Sequence, residues 1–518
     1  MRYILIALGA LVALAHSADE SCCKRLSRAL PGKVHLPDTT TYDDRIESIF
    51  SATASLEPWC IVLAESTEDV SDVMIIINKG SCPFGIRSGG HAVYANANSV
   101  RKGITIDLGY LNATTYQAGD SHASIQPGAR WGSVYDVLAK DGIAVVGGRV
   151  TGVGVGGLIL GGGNSFHSGR YGFACDTVQA YEVVLTNGTI VTASADSHVD
   201  LFRGLCGGSG NLGIVTRFDM MTVTLNGGKE KPYIWGGTGS WAYDNLQLVD
   251  ELVGFTNRAD EDDGCSVFCG WLWVNARAEL PYSSACALQH VDDKANASLF
   301  DGLRLTPGSL GIHTAMLPCR SIPKRLADLF GISDSESSWT RDVVSNDLQT
   351  ARNIWGSSTF KADPETIRFA IEQHKILSEQ LSVLLADDPD ASALLIFQPL
   401  TIALLSHGAN KNMLGMEDDA KDGLGMFTLL IVQASSKENE NLARPLVRAF
   451  EKSIDDFAEE SGASWRWTYL NYVDFYRDPI ANYGPKNVQF LQSVAKAYDP
   501  NGVFQILRQS GHKLPKGY

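Results

Sequence analysis

Beyond its first residues the chain has no run approaching the ~20 uninterrupted apolar residues that a bilayer-spanning helix needs, so no membrane anchor is expected. Basic charge is scarce: 43 Lys and Arg stand against 58 Asp and Glu, a formal charge of −15. An acidic surface disfavours nucleic acid and anionic lipid as partners. The chain also lacks a Gly-x-Ser-x-Gly elbow, a His-Glu-x-x-His pair and a Walker loop, which leaves redox chemistry unchallenged. No second CxxC-type pair accompanies Cys265 and Cys269, so no metal site is expected.

Residues 1–17 read as a secretory signal: Arg2, an apolar run from Ile4 to Leu14, and small residues at Ala15 and Ser17. Their removal takes one base, Arg2, and no acid, moving the charge from −15 to −16. Ten cysteines then remain, at 22, 23, 60, 82, 175, 206, 265, 269, 286 and 319. In a secreted protein some of these form disulfides. The sequons at Asn112, Asn187 and Asn296 suit the same route.

What the chain has in abundance is glycine, 51 residues, gathered in local clusters. The first is Arg87-Ser88-Gly89-Gly90-His91. The second runs from Gly147 through Gly154, Gly156 and Gly157 to Gly161-Gly162-Gly163, and the third spans Cys206 to Gly213. Such runs free backbone N–H groups to approach an anionic ligand. Upstream, Cys60 to Ala64 reads as a strand. Ser66 reads as the cap of a helix with Val70, Val73, Met74 and Ile77 at helical spacing. Phe84 to Arg87 is the next strand, which brings His91 to a strand's carboxyl end, where ligands often sit. The second cluster mimics a dinucleotide fingerprint, with Asp176 downstream. However, it lies deep in the chain, and Leu158 to Leu160 leave too little room for the required helix.

These clusters resemble the cofactor site of the vanillyl-alcohol-oxidase superfamily, and within it the chain resembles the fungal berberine-bridge-enzyme-like FAD-linked oxidoreductases. The resemblance is strong over residues 57–225 and 465–512. It implies an α+β fold: a two-part FAD-binding domain of the vanillyl-alcohol-oxidase type built from both chain ends, plus a central α+β substrate domain. The expected division is signal peptide 1–17, a PCMH-type FAD domain 18–225 with its core at 57–225, substrate domain 226–460, and 461–518 completing the FAD domain. It also implies a bridge from Cys22 or Cys23 to Cys82, with Cys60 free to pair with the remaining one.

The same resemblance assigns roles. His91 is the flavin-linking residue. Many relatives carry a second link from a cysteine at the position of Val150, so FAD is expected to be bonded through His91 only. Arg87, Ser88, Gly89, Gly90, Val150, Thr151, Gly156, Gly157, Asn164, Tyr171, Gly172, Gly213, Ile214, Val215 and Asn471 are the further cofactor contacts. Val153, where a small residue accompanies oxygen access, points to molecular oxygen as acceptor. Tyr469-Leu-Asn471-Tyr472 resembles a flavin-facing motif. Read as a strand, it puts Tyr469 and Asn471 on one face and Tyr472 on the other, with Tyr469 as base and His167 as the fallback. The reaction implied is hydride transfer from an alcohol or related donor, with hydrogen peroxide as by-product. The small-molecule substrate is expected to be a secondary metabolite. A carbohydrate oxidised to a lactone is the alternative, and a secreted flavin binder without turnover is the other class.

Overall fold

The computed structural model describes residues 21–225, 233–276, 281–292, 294, 297–318, 351–408 and 411–516. The signal segment, Asn296 and Cys319 lie outside the described residues, while Asn112 and Asn187 are exposed.

A four-stranded sheet in the order β1-β2-β4-β3 comprises β1 (Val34–His35), β2 (Cys60–Leu63), β3 (Phe84–Arg87) and β4 (Ile104–Asp107). β2 and β3 flank β4 in parallel. The crossover from β2 to β3 is α1 (Thr67–Gly80), and its first turn is held by a reciprocal capping box between Ser66 and Asp69. Val70, Val73, Met74 and Ile77 are its buried face. Two disulfides, Cys22–Cys82 and Cys23–Cys60, clamp the N-terminal segment to this layer. Remote residues close the outer edge of β3. Phe84 N donates to Leu507 O, Gln509 N donates to Phe84 O, and Ile86 N donates to Ser510 Oγ.

An antiparallel six-stranded sheet follows, built from β5 (Thr114–Thr115), β6 (His122–Ile125), β7 (Ile143–Val145), β8 (Val178–Val184), β9 (Ile190–Ser194) and β10 (Ile214–Thr224). β8 and β9 form a hairpin, paired Val184 to Ile190 across the Asn187-Gly188 turn. Between β6 and β7 lies α2 (Trp131–Leu138). After β7 the second glycine cluster does contain a helix, α3 (Val155–Leu160). This corrects the expectation that no helix fits there, because the helix begins inside the glycine run rather than after it. The Cys175–Cys206 disulfide ties the segment that follows this helix to the start of the third glycine cluster.

The third sheet has eight antiparallel strands: β11 (Tyr233–Trp241), β12 (Cys265–Val274), β13 (Tyr282–His290), β14 (Ser309–Pro318), β15 (Arg352–Gly356), β16 (Thr359–Lys361), β17 (Ser392–Leu400) and β18 (Gly425–Ala434). Helices α4 (Pro364–Leu384) and α5 (Lys437–Glu460) cover one face, with Trp271, Leu395 and Val432 in that core. The opposite face is apolar too: Phe268, Leu272, Leu394, Leu429 and Ile431 pack with Val93 and Trp355. Burial on both faces explains why these strands read as continuous apolar runs. Cys269 is bonded to Cys286, so it does not pair with Cys265, whose thiol is free and buried.

Candidate active site

A cavity of about 290 Å³ lies between the glycine clusters and the face of the eight-stranded sheet opposite α4 and α5. β3 delivers His91 to it through a turn in which Gly90 has φ +67°. Gly89 crosses Gly154 so closely that a Cβ on either residue would lie 2.4–2.5 Å from the other's backbone. The crossing therefore requires glycine at both positions. Ser88 Oγ donates to Pro127 O at 2.6 Å and fixes the loop.

His91 stacks on Phe50 with ring centroids 4.0 Å apart. Its Nδ1 is buried without a hydrogen-bond partner. Burial, aided by Arg130, lowers its pKa to about 3, so the imidazole is neutral and keeps a free lone pair. Gly157 lines the same cavity, and a Cβ built there would meet no protein atom. Among the described residues no Asp or Glu lines the cavity, in a chain with 58 of them. An orphaned nucleophilic nitrogen, open glycine backbone and an acid-free wall fit a diphosphate-bearing flavin.

Of the expected cofactor contacts, Ser88, Gly89, Gly90, His91, Val150, Gly156, Gly157, Asn164, Gly213, Ile214, Val215 and Asn471 line the cavity, as do Val153 and Tyr469. Four do not. Arg87 is buried behind the wall, donating to Arg45 O and to Ser48 Oγ at 2.7 Å and pairing with Asp107 at 3.4 Å. Thr151 turns its carbonyl to Gly132 N. Tyr171 and Gly172 lie beside Asp176, whose carboxylate accepts from Phe173 N and Asn412 Nδ2. Arg87 and Thr151 thus serve the architecture of their glycine loops, and Gly172 that of the turn before Asp176. His167 is also off the wall and buried, and burial lowers its pKa to about 4.

Residues 469–472 do not form a strand. Tyr472 N donates to Tyr469 O in a turn, which corrects the alternating reading. The turn nevertheless joins Tyr469 to Asn471, whose Nδ2 donates to Tyr469 Oη at 3.1 Å. Gly163 N and Asn164 N donate to the same oxygen at 3.2 and 3.0 Å. Three donors on one phenol oxygen favour the phenolate. Burial opposes them, followed by the neighbouring Tyr472, and the net pKa is raised to about 12. Asn471 reaches this position only because residue 161 is glycine; a Cβ there would sit 2.3 Å from Asn471 Oδ1.

Sequence reasoning missed Arg149, Gln398, Trp355, Arg508 and His512. All but Gln398 line the cavity, and Gln398 accepts from Arg149 just behind it. One signal was available, since Gln398 interrupts the apolar run of β17 on the same face as Leu394 and Ile396.

The three sheets and the cavity between them make a FAD-binding fold of the vanillyl-alcohol-oxidase type. It superposes on 6-hydroxy-D-nicotine oxidase from Arthrobacter nicotinovorans with TM-score 0.73 at 20% identity, covering 94% of this chain and 98% of that one. It superposes on Physcomitrella patens BBE-like 1 with TM-score 0.74 at 15% identity, covering 96% and 99%. Residues 58–194 match the family model described as "FAD binding domain". Over 513 residues the chain is 33% identical to the FAD-dependent monooxygenase sdcF of Emericella nidulans (strain FGSC A4), covering 96% of this chain and 99% of sdcF. The chain belongs to the family of the fungal FAD-dependent monooxygenases and is an FAD-linked oxidoreductase, with the fold of the berberine-bridge-enzyme-like proteins.

Proposed function

We propose that the protein is a secreted oxidase that carries one FAD, bonded through His91 Nδ1 alone, and oxidises a small secondary metabolite. Bound there, FAD would supply the hydride acceptor and pass the electrons to molecular oxygen, yielding hydrogen peroxide. The unpartnered, neutral Nδ1 of His91 carries the reading, because a buried polar atom ordinarily has a partner. Val150 has no thiol to offer a second bond. Ser88, the glycine pair and Gly156–Gly157 would hold the diphosphate side, and Ile214 and Val215 the adenine side.

Tyr469 would take the substrate proton at Oη as the phenolate, which Gly163 N, Asn164 N and Asn471 Nδ2 favour; because burial outweighs them and raises the pKa to about 12, flavin reduction should speed up as pH rises from neutral. Val153 would leave space for oxygen. The apolar wall of Val93, Trp355 and Leu429 favours an apolar metabolite over a sugar. Four disulfides support an oxidising compartment. Among the described residues no helix is long and apolar enough to cross a membrane.

The test is acid precipitation of the purified protein. Yellow colour is expected in the pellet of the wild type and in the supernatant, or nowhere, for His91→Ala. Free flavin from the wild type would remove the covalent bond, and a cysteinyl adduct would contradict the single link. The word "monooxygenase" in the name of the relative sdcF supports a second outcome. Isotopic oxygen recovered in the organic product, rather than in peroxide, would favour it.

A further inference from the structure

Two guanidinium groups line the cavity, and their surroundings differ. Arg508 is buried, and its N–H groups are taken up by oxygens of Phe504, Ser510, Asn211 and His512. Arg149 is half-buried, and only its Nη2 has partners, Gln398 Oε1 and, at 3.4 Å, Tyr472 Oη. Among the described residues no acceptor meets its Nε or Nη1, and no carboxylate pairs with it. Its Cζ lies over the Phe268 ring, 5.1 Å from the centroid. Protein thus holds Nη2 and an aromatic ring underlies the cation, while Nε and Nη1 of this cavity-lining residue have no protein acceptor among the described residues. The surrounding wall is apolar, with Val93, Trp355 and Leu429 lining the cavity and Phe268 behind them. A cation against such a wall without a counter-ion is poorly solvated and attracts an anion strongly.

We infer that Arg149 determines substrate specificity: it takes an oxyanion, a carboxylate or an ionised enol, on a substrate whose remaining body is apolar. This rests on the flavin-oxidase reading above and names the substrate class of that same site. Gln398 is the positioning residue. Its neutral carboxamide orients the guanidinium, and being buried it does not cancel the charge as a glutamate would. A neutral sugar leaves Arg149 without a counter-ion, which sets the acid class apart from the carbohydrate class.

The probes are benzoate for a carboxylate, dimedone for an ionised enol, and benzamide and xylose as neutral controls. Each is titrated into the yellow holoenzyme at near-neutral pH while the flavin absorption band is followed. At least one anion is expected to bind saturably, and benzamide about 10-fold or more weakly. Arg149→Gln is expected to erase that preference, while Arg149→Lys restores part of it, both with wild-type melting temperature. Equal binding of benzoate and benzamide, failure of both anions to bind, or a preference that survives Arg149→Gln would overturn the inference. So would a lowered flavin midpoint potential in Arg149→Gln with the preference intact, because Arg149 would then serve the flavin. A protein without flavin would instead defeat the oxidase reading. The same titrations, followed by tryptophan fluorescence through Trp355, would still decide the preference.

Discussion

Tyr469 is where burial and hydrogen bonding pull hardest against each other. Burial raises its pKa to about 12, while three N–H donors favour the anion. Tyr469→Phe keeps the ring packed against Phe173 and Phe427 but removes the proton acceptor. Flavin reduction by a true substrate should slow by ~10²–10⁴-fold, the usual worth of general-base assistance. Flavin content and reoxidation of chemically reduced enzyme should survive. A wild-type reduction rate in that variant would move the base elsewhere, with Tyr472 examined next because it lies beside Arg149. Val153 is tested by the other half-reaction. Val153→Leu should slow reoxidation by oxygen more than reduction by substrate in stopped-flow measurements, and equal slowing of both would argue against a gate.

Among the elements, the N-terminal layer is tied most tightly. Cys22–Cys82 and Cys23–Cys60 close loops with sequence separations of 60 and 37. Replacing both members of either pair by serine should lower unfolding stability by about 2–4 kcal/mol in urea titrations. Peptide mapping without reduction should return these two linkages and no Cys22–Cys60 bridge. This layer was also the most legible in the sequence. Ser66 and Asp69 announce a helix start, the spacing from Val70 to Ile77 announces its buried face, and the strands on either side are short apolar runs. Legibility failed where local pattern and long-range contact part. Tyr-x-Asn alternates as a strand does, yet it is a turn whose side chains meet because Gly161 lets Asn471 in. Arg149 and Gln398 are 249 residues apart, and although Gln398 stands out in the apolar run of β17, nothing local names Arg149 as its partner. The pairing of β12 with β17 was hidden in the same way.

Across the whole molecule, burial holds four histidines neutral: His91 at about 3, and His167, His374 and His512 at about 4. In the unfolded chain each takes a proton below about pH 6.5. Between there and about pH 4 the unfolded state binds more protons at these sites, so their contribution to stability falls as pH falls through that window. Glu451, raised by burial to about 8, works in the opposite direction, as do Asp176, Asp474 and Asp499, whose carboxyls burial also raises. The histidine part is isolated by comparison: between neutral pH and pH ~4 the urea midpoint of His374→Gln should fall less, or rise more, than that of the wild type. Equal shifts in the two would mean that water or the flavin relieves the burial.

The seam between β3 and Leu507–Ser510 also sets an order of events in the cell. The strand that presents His91 gains its outer neighbour only when the final residues have been translated. An unfinished chain on the ribosome has the glycine clusters but no closed edge beside His91. Under the proposed attachment at His91, flavin would bond only after synthesis is complete, and colour would mark a finished molecule. A chain stopped before Val503 should then carry no bound flavin when isolated, while the full-length chain does.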